Sequence, residues 1–211
     1  MINFASWKIG DIVAADFRKA EVLKQFNIDF CCGGKTLLKD ACKSLSLDQN
    51  KVLEALCEIN EKDILPSQNY SYWDLSFLCD YIYSTHHNYV QQAKKYLLDY
   101  ASKVEMNHAE RHPDLVKVRE VVFLLFNDLE THMKKEEIFL FPSIKKLAAI
   151  YKNTESDWTQ IQSIRELTQP IKQMEAEHDE AGIYIKQLID LTNNFTVPEN
   201  ACLTFSVFYV E

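Results

Sequence analysis

Apolar side chains recur at three- and four-residue intervals through most of this chain, the mark of helices with one buried face. Long stretches carry no strict alternation of the kind that strands require. Residues 8–61 read as several short helices. Asp11 is placed to cap the first, and Ile12, Ala15, Phe17, Val22, Leu23 and Phe26 give it a buried side. The run Cys31-Cys32-Gly33-Gly34 interrupts, a second helix follows from about Leu37, and Asp48 is the expected N-cap of a third over residues 52–59. Pro66 and a polar SQNYS stretch mark a linker. Longer helices come next, over roughly residues 72–104, 115–151 with a kink at Pro142, and 156–193 with a bend before Pro170. A fourth starts after Pro198 and is only begun when the sequence stops at Glu211. The pattern predicts an all-α protein. A small N-terminal helical domain, residues 1–66, precedes an antiparallel four-helix bundle, residues 71–211, whose last helix is truncated.

Polar residues intrude on the apolar seams of these helices, and the intrusions carry the candidate chemistry. Val122, Leu125, Leu129, His132, Glu136 and Phe139 follow one 3-4 spacing, so His132 and Glu136 stand one turn apart on the core-facing side. A buried carboxylate without a partner is costly, and a metal ion offsets that cost. Ile171, Met174, His178, Ala181, Ile185 and Leu188 form a second such seam, again with a histidine in an apolar place. Imidazole with carboxylate suits iron or manganese, whereas no thiolate cluster is offered to select zinc. On the first long helix, Leu75, Leu78, Ile82, Tyr89 and Ala93 put His86 near the seam centre and His87 at its edge, so periodicity favours His86 as the inward group. His108 falls near that helix's end, and His112, before Pro113, reads as solvated. Glu105-Met-Asn-His108 and Glu175-Ala-Glu-His178 also fit the Glu-x-x-His pattern of ferritin-like di-iron bundles, although Glu105 stands at a helix end and that scheme leaves His132 unexplained.

Composition narrows the choices. Glycine (4) and proline (5) are scarce among the 211 residues, as a helical chain requires, and 47% of residues are hydrophobic, enough for a core. A formal net charge of -8 argues against duplex nucleic acid and against an anionic membrane surface as partners. The N-terminus has no apolar signal region, and the longest purely apolar run, residues 121–126, is far short of the ~20 needed to span a bilayer. A cytoplasmic location is the expectation, with the six cysteines reduced and only Cys31 and Cys32 adjacent. No P-loop, GxGxxG or nucleophile-elbow motif is present, so no familiar catalytic class is indicated.

Four segments together resemble one family. They are DFCCGGKTL (29–37), KVEMNHAERH (103–112), ETHMKKEEIFLFP (130–142) and MEAEHDEAG (174–182). In this order they are similar to the di-iron iron-sulfur cluster repair proteins, also called repair of iron centres proteins, and the resemblance runs over essentially the whole chain. It implies a hemerythrin-like bundle holding two non-haem irons, preceded by a domain with a vicinal cysteine pair. It implies a role in restoring iron-sulfur clusters damaged by oxidative or nitrosative stress, with damaged iron-sulfur proteins as partners, nitric oxide or oxygen as small ligands, and a homodimer as assembly. A hemerythrin-like oxygen or nitric oxide sensor or carrier is the alternative, against which the vicinal cysteines speak.

Carried over by position, the resemblance makes His87, His132, Glu136 and His178 metal ligands, against the periodicity that favours His86. It gives His86, His108, Glu177, Cys31 and Cys32 supporting or redox roles, His108 near the site and Glu177 beside the third-helix ligand. In the family the last helix carries a further His-x-x-x-Glu pair. No histidine follows His178 here, so the iron site is expected to be incomplete in this chain.

Overall fold

The computed structural model describes residues 4–30, 33–59, 70, 73–153 and 158–210, with the backbone alone for 152–153 and 158–164. The chain divides into two compact units, Met1–Asp74 and Leu75–Glu211. The described residues contain helices and no strand; Lys8 and Leu37 form an isolated bridge. No described helix is long and apolar enough to cross a membrane.

The first unit holds a 3-10 turn, Phe4–Ser6, and four short helices: α1 (Ile9–Ala15), α2 (Lys19–Gln25), α3 (Leu38–Ser44) and α4 (Gln49–Glu58). Phe4, Ile9, Ile12, Leu23, Leu38, Val52 and Leu56 fill its core. The single first helix expected from the apolar pattern is two helices, split at Asp16, whose backbone turns extended (φ -157°). The Asp16 carboxylate accepts the Arg18 backbone N–H at 3.2 Å, the Arg18 Nε–H at 3.0 Å and the Lys19 Nζ–H at 2.8 Å, although Asp16 and Lys19 are both buried. Phe17, at the break, is exposed rather than buried. Asp11 lies inside the first turn of α1 and does not cap it; the N-cap is Lys8, with no side-chain bond. Asp48 caps α4 by accepting the Asn50 N–H at 3.0 Å.

Cys31, Cys32 and the residues of the expected linker around Pro66 lie outside the described residues. The loop after the cysteine pair is pinned to α1. Gly34 accepts the Gly10 N–H at 2.8 Å, and Thr36 accepts the Ile9 N–H at 2.9 Å. A Cβ on Gly33 would stand 2.4 Å from the Asp29 carbonyl oxygen, so only glycine permits this approach.

In the second unit, α5 (Leu75–Tyr81) runs through a π turn (Ile82–His87) into α6 (Asn88–His108). Next, α7 (Leu115–Lys135) runs through a second π turn (Glu136–Leu140) into α8 (Phe141–Asn153). Then α9 (Trp158–Leu191) passes through Pro170 as one helix, and α10 (Leu203–Val210) follows. Helix α7 packs on α6 and α9, α10 on α6, and α5 on α8. The main core joins Ala101, Val104, Val118, Val121, Phe126, Leu188 and Phe205, and a smaller cluster joins Leu140, Leu167 and Met174.

The two π turns re-phase the seams. A π turn closes i→i+5 bonds and so accommodates one residue more than an α turn. Upstream of the first, the inward phase runs through Cys79 and Ile82; downstream it runs through His87, Val90, Ala93 and Leu97. The constant 3-4 spacing that selected His86 and Tyr89 therefore fails there: both are exposed, and His87 is 4% exposed. The second π turn acts alike. Phe139, the expected continuation of the His132–Glu136 seam, is exposed, while Leu140 and Phe141 are buried. This turn also absorbs Pro142, which cannot give its nitrogen's hydrogen bond to an α-helical partner.

Candidate metal centre

Three helices bring the candidate donors together. The first π turn ends on His87, α7 carries His132 in its last turn, the second π turn opens with Glu136 and Glu137, and the middle of α9 carries Glu177 and His178. Donor atoms of His132, Glu136 and His178 all lie within 4.8 Å of one another. The Glu136 carboxylate is the hub. Its Oε2 takes the His87 Nε2 at 3.0 Å, and its Oε1 stands 3.5 Å from the His132 Nε2. The His132 and His178 rings are 4.4 Å apart, centroid to centroid. The other nitrogens of the two buried imidazoles are held from outside. His87 Nδ1 donates to Glu137 Oε1 at 2.8 Å, and His132 Nδ1 donates to Glu177 Oε2 at 3.0 Å. Glu177 is bonded in turn by Lys135 and Gln173. Phe141 stacks on the His87 ring at 5.4 Å, fixing its plane.

The charges follow from this packing. Burial opposes a carboxylate at Glu136, but the His132 ring at ion-pair distance and the bond from His87 outweigh it and hold its pKa at about 2. Burial likewise opposes protonation of His87 and His132, yet the carboxylates on each ring raise both. His178 moves the other way. Desolvation comes first, then the charge on His132 beside it, and its pKa falls. Its residue surface is open to solvent, and its ring lies tilted against that of His132.

A cation fits this set. The buried His132 Nε2 has no hydrogen-bond partner, since the 3.5 Å approach to Glu136 is an ion-pair distance and no bond. Two ligands each about 2.1 Å from one ion stand about 3.0–3.5 Å apart at ordinary coordination angles, which matches the 3.5 Å between His132 Nε2 and Glu136 Oε1. Three imidazoles and a carboxylate, without thiolate, are a donor set for iron or manganese.

The remaining expectations fare differently. His86 is exposed against the Tyr81 ring and takes no part in the cluster. His108, expected near the centre, is not. It ends α6, and 21 residues of helix at 1.5 Å each put it about 30 Å along the axis from His87. There its Nε2 lies 3.2 Å from Cys202 Sγ, and its ring packs on Phe205. Glu105 pairs with Arg119 at that same end, and Glu175 is exposed, so the two Glu-x-x-His segments do not converge. Glu137 is the residue that sequence reasoning missed. It follows Glu136 directly, and in a regular helix its side chain would turn about 100° away.

A helical bundle with imidazoles and a buried carboxylate converging from three of its helices defines a cation-binding protein of the hemerythrin class. Residues 80–209 match the hemerythrin HHE cation binding domain, and residues 5–60 match ScdA_N, a domain of unknown function. A probable iron-sulfur cluster repair protein of Haemophilus influenzae is 27% identical over 209 residues, covering 99% of this chain and 87% of the relative. The iron-sulfur cluster repair protein YtfE of Shigella boydii serotype 4 is 30% identical over 202 residues, 95% of this chain and 84% of its own. That of Musicola paradisiaca is 30% identical over 209 residues, 99% and 86%. The chain belongs to this family of two-domain iron-sulfur cluster repair proteins.

Proposed function

We propose that this chain holds non-haem iron at His87, His132, Glu136 and His178 and helps restore iron-sulfur clusters damaged by oxidative or nitrosative stress. The observation that carries the reading is the buried, partnerless His132 Nε2 facing a carboxylate that a second imidazole shares. A nitrogen so placed costs stability unless a cation takes it. The relatives' names supply the client class, iron-sulfur proteins. Iron bound here supplies redox chemistry and a place for a small ligand such as nitric oxide. The chain's own part is to present Nε2 of two rings inward, to favour the neutral form of His178, the form that can donate a lone pair, and to hold Glu136 as an anion between them.

The test is iron content together with recovery of a purified [4Fe-4S] enzyme inactivated by nitric oxide or peroxide. Wild-type chain is expected to carry iron and restore activity, and His132→Ala and Glu136→Ala to lose both. A chain that carries iron but restores nothing would favour the oxygen or nitric oxide carrier. A chain that takes up no iron would end the reading.

A further inference from the structure

Two carboxylates from consecutive residues grip one ring. Glu136 Oε2 meets the His87 Nε2 at 3.0 Å and Glu137 Oε1 meets its Nδ1 at 2.8 Å. In an α-helix neighbouring side chains diverge by about 100°, and two adjacent glutamates do not close on one imidazole. Both lie in the second π turn, where more residues share each turn and successive side chains diverge less. His87 is itself the last residue of the first π turn. The two irregular turns thus meet at a single hydrogen-bonded ring.

We propose that Glu137 is a positioning residue for the iron centre. It accepts the His87 Nδ1–H, which fixes the ring's rotation and reserves Nε2 for the cation side. The inference rests on the iron reading above. His132 supplies an internal parallel. Its Nδ1 is held by Glu177 at 3.0 Å while its Nε2 faces Glu136, so both buried rings are oriented alike, each with a carboxylate behind it and the shared carboxylate in front. A ligating imidazole whose second nitrogen donates to a carboxylate is both better aimed and more basic. The Glu137 side chain is one-quarter exposed, and Phe141 stacks on the ring independently of it, so its replacement removes the bond without opening the core.

Two measurements test this. Fe(II) affinity of the full chain, by competition with a chromogenic chelator, is expected to fall about 10- to 100-fold in Glu137→Ala. Glu137→Gln, whose amide oxygen still accepts the Nδ1–H, is expected to recover most of it. An Ala variant within twofold of wild type would overturn the proposal. So would equal losses in Ala and Gln, which would make Glu137 a ligand or a charge rather than a positioner. The second readout needs no metal. Side-chain ¹H–¹⁵N spectra of the iron-free chain should show a slowly exchanging His87 Nδ1 proton in wild type and Glu137→Gln and none in Glu137→Ala; the same exchange in all three would overturn the proposal. If wild-type chain binds no Fe(II), the iron reading fails, and the ring spectra still decide whether Glu137 holds His87.

Discussion

A buried carboxylate needs cations around it, and Asp16 shows how much one such group can contribute. Burial alone would raise its pKa, but hydrogen bonds from Arg18 and Lys19 bring it down from 3.8 to about 2. A carboxylate with a depressed folded pKa stabilises the fold above its unfolded value and loses that stabilisation as pH falls through the folded one. The window here is from about pH 4 down to about pH 2, and the contribution at neutral pH is about 2 kcal/mol. Asp16→Asn should destabilise the N-terminal unit by roughly that amount at pH 7, read as a lower urea midpoint, with the difference from wild type shrinking below pH 4. At this same scale the sequence told half the story. His132, Glu136 and His178 stood out because each replaces an apolar residue in a regular seam. His87 could be named only by resemblance, and Glu137 not at all, because both owe their direction to a turn whose pitch no residue type announces.

Among the elements, α10 shows packing at its most legible. Its sequence, LTFSVFYV, is nearly all apolar, and it presents Phe205, 1% exposed, to the core between α6 and α7. The rings of His108 and His112 pack on Phe205 from the outer end. Truncating a buried phenylalanine costs about 3–5 kcal/mol in lost transfer energy and cavity. Phe205→Ala is expected to lower the stability of the helical bundle by that much in chemical denaturation, and a loss under 1 kcal/mol would show that α10 is only loosely attached. Helix existence, the Asp48 cap and the order of the long helices followed from spacing and capping chemistry. The break at Asp16 did not, since the apolar spacing runs straight across it and only the folded backbone, with Arg18 and Lys19 closing locally on the Asp16 carboxylate, shows that the chain turns there.

For the molecule as a whole, the question is how much iron the chain can hold. Among the described residues the donors come from the α5–α6, α7–α8 and α9 helices, and α10 contains no histidine, aspartate or glutamate. Two of the nearby carboxylates, Glu137 and Glu177, are engaged with imidazoles. His132, Glu136 and His178 lie close enough together to enclose one ion, with His87 on the far oxygen of the same carboxylate, whereas a pair of ions needs further bridging anions to offset their repulsion. The 211-residue chain is therefore expected to bind fewer than two irons, and metal analysis beside protein quantification would check it; two irons per chain would show that donors outside this set take part. The helical class was legible from the scarcity of glycine and proline. The phase of the bundle at its centre was not, because a pattern read at constant pitch carries an error of one residue past every π turn.

That surplus residue has a consequence for how the gene could be shortened. Deleting one position from an ordinary helix rotates everything beyond it by a full residue step and tears one face from its partner. Deleting one from the first π turn should instead relax Ile82–His87 to plain α-helix and leave the faces of α5 and α6 where they were. Ser84 and Thr85 are exposed there and bury nothing. A chain lacking Ser84 is expected to melt within a few degrees of wild type, whereas one lacking a residue such as Gln92, inside α6, should fail to fold. If both deletions are equally damaging, the widened turn is itself part of what keeps the bundle closed.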